Sequence, residues 1–188
     1  MKIGIYGGSF NPIHRGHISV AKYALEKLNL DKLIIIPVGI PSHRENNLVN
    51  GKFRMEMCRL AFENMEKIEI SDIEINNCGI NYTYDTLMKI KNIYGQGEYF
   101  EIIGEDSGEN FIKWKNYKEI LKEAKVIVLR RKGYKKVIEN KNMVYLPSPY
   151  FEISSTELRN YIKLNKNIKK YIPDKVEEFI RKYRLYEK

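Results

Sequence analysis

Two histidines, three glycines and a proline crowd into one stretch, Gly7-Gly8-Ser9-Phe10-Asn11-Pro12-Ile13-His14-Arg15-Gly16-His17. Paired glycines let a backbone approach a ligand closely, and Pro12 fixes φ in the turn. His14 and His17 stand three residues apart at the predicted start of a helix, so both imidazoles project to one side. A helix start is electropositive and rich in N–H donors, which suits phosphate. The plain structural alternative is a glycine-rich turn with one capping and one packed histidine. A metal site is not indicated, since no third ligand lies nearby. The pattern is neither G-x-x-x-x-G-K-[ST] nor G-x-G-x-x-G. A second cluster is Ile153-Ser154-Ser155-Thr156-Glu157-Leu158-Arg159. Ser154 and Glu157 fit a capping box. Ser155 and Thr156 then sit at a helix N-terminus, and Arg159 adds a fork of donors one turn later.

These residues need elements to hold them. An apolar run over 2–6 reads as a buried strand, 17–28 carries apolar residues at helical spacing, and 33–37 is a second buried strand. Strand, helix and strand in so short a span make a βαβ unit, hence a parallel sheet with a right-handed crossover. The alternation continues through helix 51–65, strand 67–70, helix 82–94, strand 98–103, helix 117–124, and strands 125–129 and 143–146. Helices then open at Ser154 and at Pro173 or Asp174. The expected fold is α/β: a single-domain, doubly wound, Rossmann-like arrangement with a parallel central sheet and a helical C-terminus. One domain is expected over 1–188, its α/β core over 1–150 and a helical segment over 151–188. Polar loops are expected over 41–51 and 133–142. In such sheets ligands bind beyond the carboxyl ends of the strands at a switch point.

Composition narrows the classes. The chain has 188 residues, 43% hydrophobic and 30% charged, which is ordinary for a globular domain. No apolar run approaches the ~20 residues of a membrane helix, and no signal-peptide pattern opens the chain. Cys58 and Cys78 have no zinc-type spacing and read as reduced thiols, implying a cytoplasmic protein. Cys58 reads as a small buried hydrophobe. The net charge of +9 favours anionic partners, although lysine-rich solvated faces would give the same value.

At this point the chain resembles a family. The pair G-G-S-F-N-P-x-H-x-G-H and I-S-S-T-x-x-R is similar to the signature of the H-x-G-H nucleotidyltransferases, and length and spacing look like bacterial nicotinate-nucleotide adenylyltransferases. Between them, Pro41-Ser42-His43-Arg44 resembles that family's P-P-H-K loop and Tyr82-Thr83-Tyr84-Asp85-Thr86-Leu87 its Y-T-x-D-T-L segment. Gly104-Glu105-Asp106 with Trp114 resembles its G-x-D…W element, and Arg131-Lys132-Gly133 its R-P-G turn. Asn11, Ser42, Arg44 and Lys132 depart from the usual Asp, Pro, Lys and Pro.

The resemblance implies adenylyl transfer from ATP to nicotinate mononucleotide. It gives His14, His17, Arg44, Ser155 and Arg159 catalytic roles. ATP would be held by Gly7, Gly8, Ser9, Phe10, His14, His17, Gly104, Asp106, Ile153, Ser154, Ser155, Thr156 and Arg159. The mononucleotide would meet His43, Arg44, Tyr82, Thr83, Tyr84, Trp114 and Arg131, with Trp114 stacked on the pyridine ring. Mg²⁺ would arrive with ATP, without a protein cage. Nucleic acid and membrane are not expected as partners, and a homo-oligomer is left open. The runner-up is phosphopantetheine adenylyltransferase, which shares the paired motifs but usually has threonine at the position of His14. A nucleic-acid-binding module lacks any recognisable signature, and a non-catalytic sensor sits poorly with intact His14, His17, Ser155 and Arg159.

Overall fold

A computed structural model describes residues 1–41, 48–130, 139–149 and 151–187. Six strands form one parallel sheet: β1 (Lys2–Gly8), β2 (Lys32–Pro37), β4 (Ile68–Ile70), β6 (Glu98–Gly104), β7 (Lys125–Arg130) and β8 (Met143–Pro147). Their order is β4-β2-β1-β6-β7-β8. The chain winds outward from β1 to one edge and from β6 to the other, so the switch point lies between β1 and β6. The carboxyl ends of those two strands are Gly7-Gly8 and Gly104. This is the expected doubly wound architecture.

Helices cover both faces. Against one pack α1 (Arg15–Lys27), α2 (Gly51–Phe62), α6 (Ser155–Lys163) and α7 (Asp174–Lys182). Their buried residues include Ala21, Ala24, Met57, Cys58, Leu158, Ile162, Val176 and Ile180, which meet Leu33, Ile35, Ile102 and Ile127 of the sheet. Cys58 is thus the small core residue expected. The opposite face carries α3 (Thr83–Tyr94) and α5 (Tyr117–Glu123), whose Leu87, Ile90, Ile120 and Leu121 pack on Ile3, Ile5, Ile34, Val126 and Val128. Alternation along each strand sends successive side chains to opposite faces, so one apolar strand supplies two cores. No helix among the described residues is long and apolar enough to cross a membrane.

Four short elements escape the periodicity reading. Strands β3 (Ile40–Pro41) and β5 (Ile80–Asn81) pair in parallel as a separate two-stranded sheet. Helix α4 (Glu105–Glu109) and a 3₁₀ turn (Phe111–Lys113) follow β6 directly. Each is too short to show a period.

One buried side chain breaks the apolar pattern. Glu101 is only 5% exposed and sits in β6 between Ile5 and Val126. Burial holds its carboxyl well above the ordinary carboxylate range, and the nearby Glu74 pushes the same way. The folded chain therefore keeps a proton that the unfolded chain releases above about pH 4.3. Stability must fall as pH rises from there toward the folded pKa. A Glu101→Gln variant carries a neutral isostere and escapes that loss. Urea unfolding at pH 5 and pH 8 should show its advantage over the parent larger at the higher pH; a constant difference would refute a buried neutral acid.

Candidate active site

The site begins with a gap. Gly7 lies on a central strand yet is exposed. A Cβ built there would find no heavy atom nearer than the Ile36 carbonyl oxygen, 4.0 Å away. Gly104, at the end of the neighbouring β6, is also exposed and has nothing within 4 Å of such a Cβ. The strand ends at the switch point thus present a floor of bare backbone.

Beyond Gly8 the chain turns sharply. Phe10 adopts a left-handed φ of 42° although fully buried. Such a conformation is costly for a bulky residue, and here the ring packs edge-on against Tyr6 and His17 at 5.5 and 5.1 Å. Asn11 is also buried; its Oδ1 accepts from the Val49 N–H at 3.2 Å and the Tyr186 hydroxyl at 2.9 Å. The Asn11–Pro12 peptide is cis.

The two histidines then cap α1. Nδ1 of His14 accepts the Gly16 N–H at 3.1 Å, and Nδ1 of His17 accepts the His14 N–H at 3.2 Å. This is a capping box built from imidazoles. The Arg15 N–H goes to the Tyr171 carbonyl at 2.8 Å. The first amides of α1 are therefore occupied, contrary to the expectation of free backbone donors there. The helix offers imidazoles in their place. An Nδ1 that accepts an N–H carries no proton, so each neutral ring bears its proton on Nε2. Burial lowers the His14 pKa to about 4. It takes His17 well below the ordinary value too, with the repulsion of His14 adding to the effect. Both rings are neutral donors at neutral pH. Their centroids lie 3.8 Å apart, and Phe151 stacks on His14 at 5.2 Å. Gly16 is required here, because a Cβ would come within 2.7 Å of Phe151 and 2.9 Å of His14.

The second motif is bolted to the first. Ser155 Oγ donates to the Pro12 carbonyl at 3.2 Å, and Arg159 Nη1 donates to the Asn11 carbonyl at 2.8 Å. Arg159 Nη2 also reaches Thr156 Oγ1 at 3.1 Å. Ser154 closes the expected capping box with Glu157, its hydroxyl donating to Oε2 at 2.6 Å. That hydroxyl is spent on the cap. The backbone donors that the first turn of α6 leaves uncommitted among the described residues are the N–H groups of Ser155 and Thr156. Ile153 is buried in the core beneath them.

At the start of α3, Tyr82 rather than Thr83 occupies the cap position, and no side chain caps that helix. Its first-turn amides are left open. Tyr82, Thr83, Tyr84 and Trp114 are all half-buried. Trp114 rests 5.3 Å from the Phe111 ring, on the core under α3 and α5. Lys115 sits over the Tyr82 ring at 4.3 Å. Asp106 is exposed in the first turn of α4. Three expected site residues, His43, Arg44 and Arg131, lie outside the described residues.

Two residues that sequence reasoning missed tie these pieces together. Arg54 of α2 is 2% exposed and donates to the carbonyls of Ser9, Val38 and Val49 at 2.9, 2.6 and 2.7 Å. A signal was present: Arg54 precedes Met57 and Cys58 at the i+3 and i+4 spacing of one buried face. Glu74 accepts from Thr86 Oγ1 at 2.8 Å and from the Gly39 N–H at 3.3 Å, joining α3 to the loop after β2. Its carboxyl is raised above the ordinary range by burial.

Comparison with known proteins places the chain in a family. Residues 5–161 match the cytidylyltransferase-like family. A protein of Fusobacterium nucleatum named "Probable nicotinate-nucleotide adenylyltransferase" is 51% identical over 189 residues, 97% of this chain and 98% of its own. A protein of the same name from Clostridium novyi is 39% identical over 98% of each chain. Among solved structures, the Plasmodium falciparum nicotinic acid mononucleotide adenylyltransferase complexed with NaAD superposes with a TM-score of 0.77. It is 24% identical, the match covering 99% of this chain and 97% of that one, and shows the shared fold.

Two variants test the geometry. In His17→Asn the amide Oδ1 can still accept the His14 N–H, but the Nε2 donor is gone. Thermal unfolding should change little while turnover falls about 100-fold or more, the usual cost of one preorganised donor; turnover within a few-fold of the parent would remove His17 from the reaction. In Gly7→Ala the added methyl meets no protein atom. Melting temperature should hold while ATP affinity drops at least about tenfold, and calorimetric titration showing unchanged affinity would move the ligand off this floor.

Proposed function

We propose, for a chain that belongs to the cytidylyltransferase-like family and within it to the nicotinate-nucleotide adenylyltransferases, a division of labour in which hydrogen-bond donors rather than acids or bases carry the reaction. The chain transfers the adenylyl group of ATP to nicotinate mononucleotide. The mononucleotide phosphate oxygen attacks the α-phosphorus, the bond from that phosphorus to the bridging oxygen breaks, and pyrophosphate leaves with the electron pair. The nucleophile is already anionic, so no general base is needed, and catalysis rests on positioning and charge stabilisation.

The observation that carries this reading is the pair of Nδ1-capped imidazoles beside a bare glycine floor at the sheet's switch point. The Nε2–H groups of His14 and His17 donate to ATP phosphate oxygens and strengthen those bonds as charge builds in the transition state. The backbone of Gly7, Gly8, Ser9 and Phe10 approaches the nucleotide, with Gly104 and Asp106 on the ribose side. At α6, the N–H groups of Ser155 and Thr156 and the remaining donors of Arg159 face the departing β- and γ-phosphates. Ser154 serves that site by holding the cap, above the buried Ile153.

For the acceptor, Tyr82, Thr83 and Tyr84 bring the uncapped start of α3, whose N–H donors and positive end suit the nicotinate carboxylate. Trp114 supplies a ring face for the pyridine. His43, Arg44 and Arg131 remain assigned to the mononucleotide side, Arg44 also to the reacting phosphates, on the family resemblance alone. Mg²⁺ comes with the triphosphate and neutralises part of its charge. Among the described residues no group of three or more His, Cys, Asp or Glu could hold a metal ion.

The test is pyrophosphate release with ATP and Mg²⁺, comparing nicotinate mononucleotide, nicotinamide mononucleotide and phosphopantetheine in parallel. Fastest release with nicotinate mononucleotide is expected. Equal rates with the two mononucleotides would sink the carboxylate preference, and release with phosphopantetheine alone would move the acceptor assignment.

A further inference from the structure

We infer that Arg54 is a positioning residue for adenylyl transfer, orienting the peptide after Ser9 and locking the loops that follow β1 and β2 into one frame, without touching substrate. This rests on the adenylyl-transfer reading and adds to it a residue outside both motifs.

A guanidinium buried to 2% exposure is expensive unless it is paired. Among the described residues Arg54 forms no ion pair; it spends its donors on three main-chain carbonyls. An apolar side chain of similar volume would fill the same space with no charge to desolvate. What only the planar fork can do is collect acceptors from three directions at once. Those acceptors are not arbitrary. Ser9 directly follows the glycine floor, Val38 directly follows β2, and Val49 directly precedes the Asn50 cap of α2.

A trans peptide directs its C=O and N–H oppositely. Drawing the Ser9 carbonyl onto Arg54 therefore turns the Phe10 N–H away from the guanidinium. That N–H has no acceptor among the described residues, although Phe10 itself is buried. The Val38 carbonyl behaves alike: it faces Arg54 while the next N–H, that of Gly39, faces Glu74. Asn11 Oδ1 reinforces the frame by accepting from the Val49 N–H. One side chain thus fixes which way the main chain of the nucleotide loop presents its donors.

Arg54→Lys keeps the charge but cannot bridge three carbonyls. Measured well below its melting temperature, the folded variant should lose kcat at least about tenfold while the KM for ATP changes less than about threefold, as expected when reacting groups are misaligned rather than unbound. A folded variant with kcat within about threefold of the parent overturns the inference. Should the variant fail to fold, the parent protein decides. Its Arg54 Nε–Hε resonance should be protected from solvent exchange and should shift on saturation with α,β-methylene ATP; a resonance unmoved at saturation overturns the inference. Absence of pyrophosphate release from the parent itself would instead strike the adenylyl-transfer reading.

Discussion

Imidazole nitrogens stand where a serine or aspartate oxygen usually closes a helix, and the neighbourhood of α1 is arranged around that substitution. A hydroxyl or carboxylate cap satisfies the first amides and ends there. An imidazole accepts on one edge and donates on the other, so the positive end of the helix is relayed outward to Nε2. The relay works only while the rings are held edge-on to the backbone. Phe151 supports His14 from one side, Phe10 supports His17 from another, and Gly16 leaves the space in which Phe151 meets His14.

The same constraint joins two segments far apart in sequence. Ser155 and Arg159 bind the carbonyls of Pro12 and Asn11, and the Tyr171 carbonyl takes the Arg15 amide. The two motifs are one structural unit before any nucleotide arrives. Electrostatics follows the same logic. Burial keeps the histidines uncharged, so they present oriented N–H donors rather than charge. On the proposed reading this suits a reaction whose nucleophile needs no deprotonation.

Much of this was readable in the residues, and the exceptions have physical reasons. The strands and helices of the sheet are long and periodic, and their predicted ends fall close to those observed, within three residues throughout. Strands β3 and β5 and helix α4 carry too few residues to show a period. The capping box of Ser154 and Glu157 was visible as a local pattern because both its bonds are local. The destination of Arg159 was not, since its partner carbonyl lies 148 positions away. Arg54 was passed over because a charged residue on an amphipathic helix reads as solvent-facing. Only the folded chain shows three carbonyls converging on it. The cap position of α3 falls to Tyr82, which has no short side-chain oxygen to mark it in the sequence.

The hydrogen bond from Tyr186 to Asn11 joins residues 175 positions apart. The loop between β1 and α1 is buttressed by side chains and carbonyls from 151–186, so it takes its closed form only when that segment has docked. A chain in which 151–186 is undocked can keep β1 and β2 paired through their apolar residues, yet it lacks the contacts that close this loop. The loop therefore has no stability of its own to draw on and shares the fate of the two helices packed beside it.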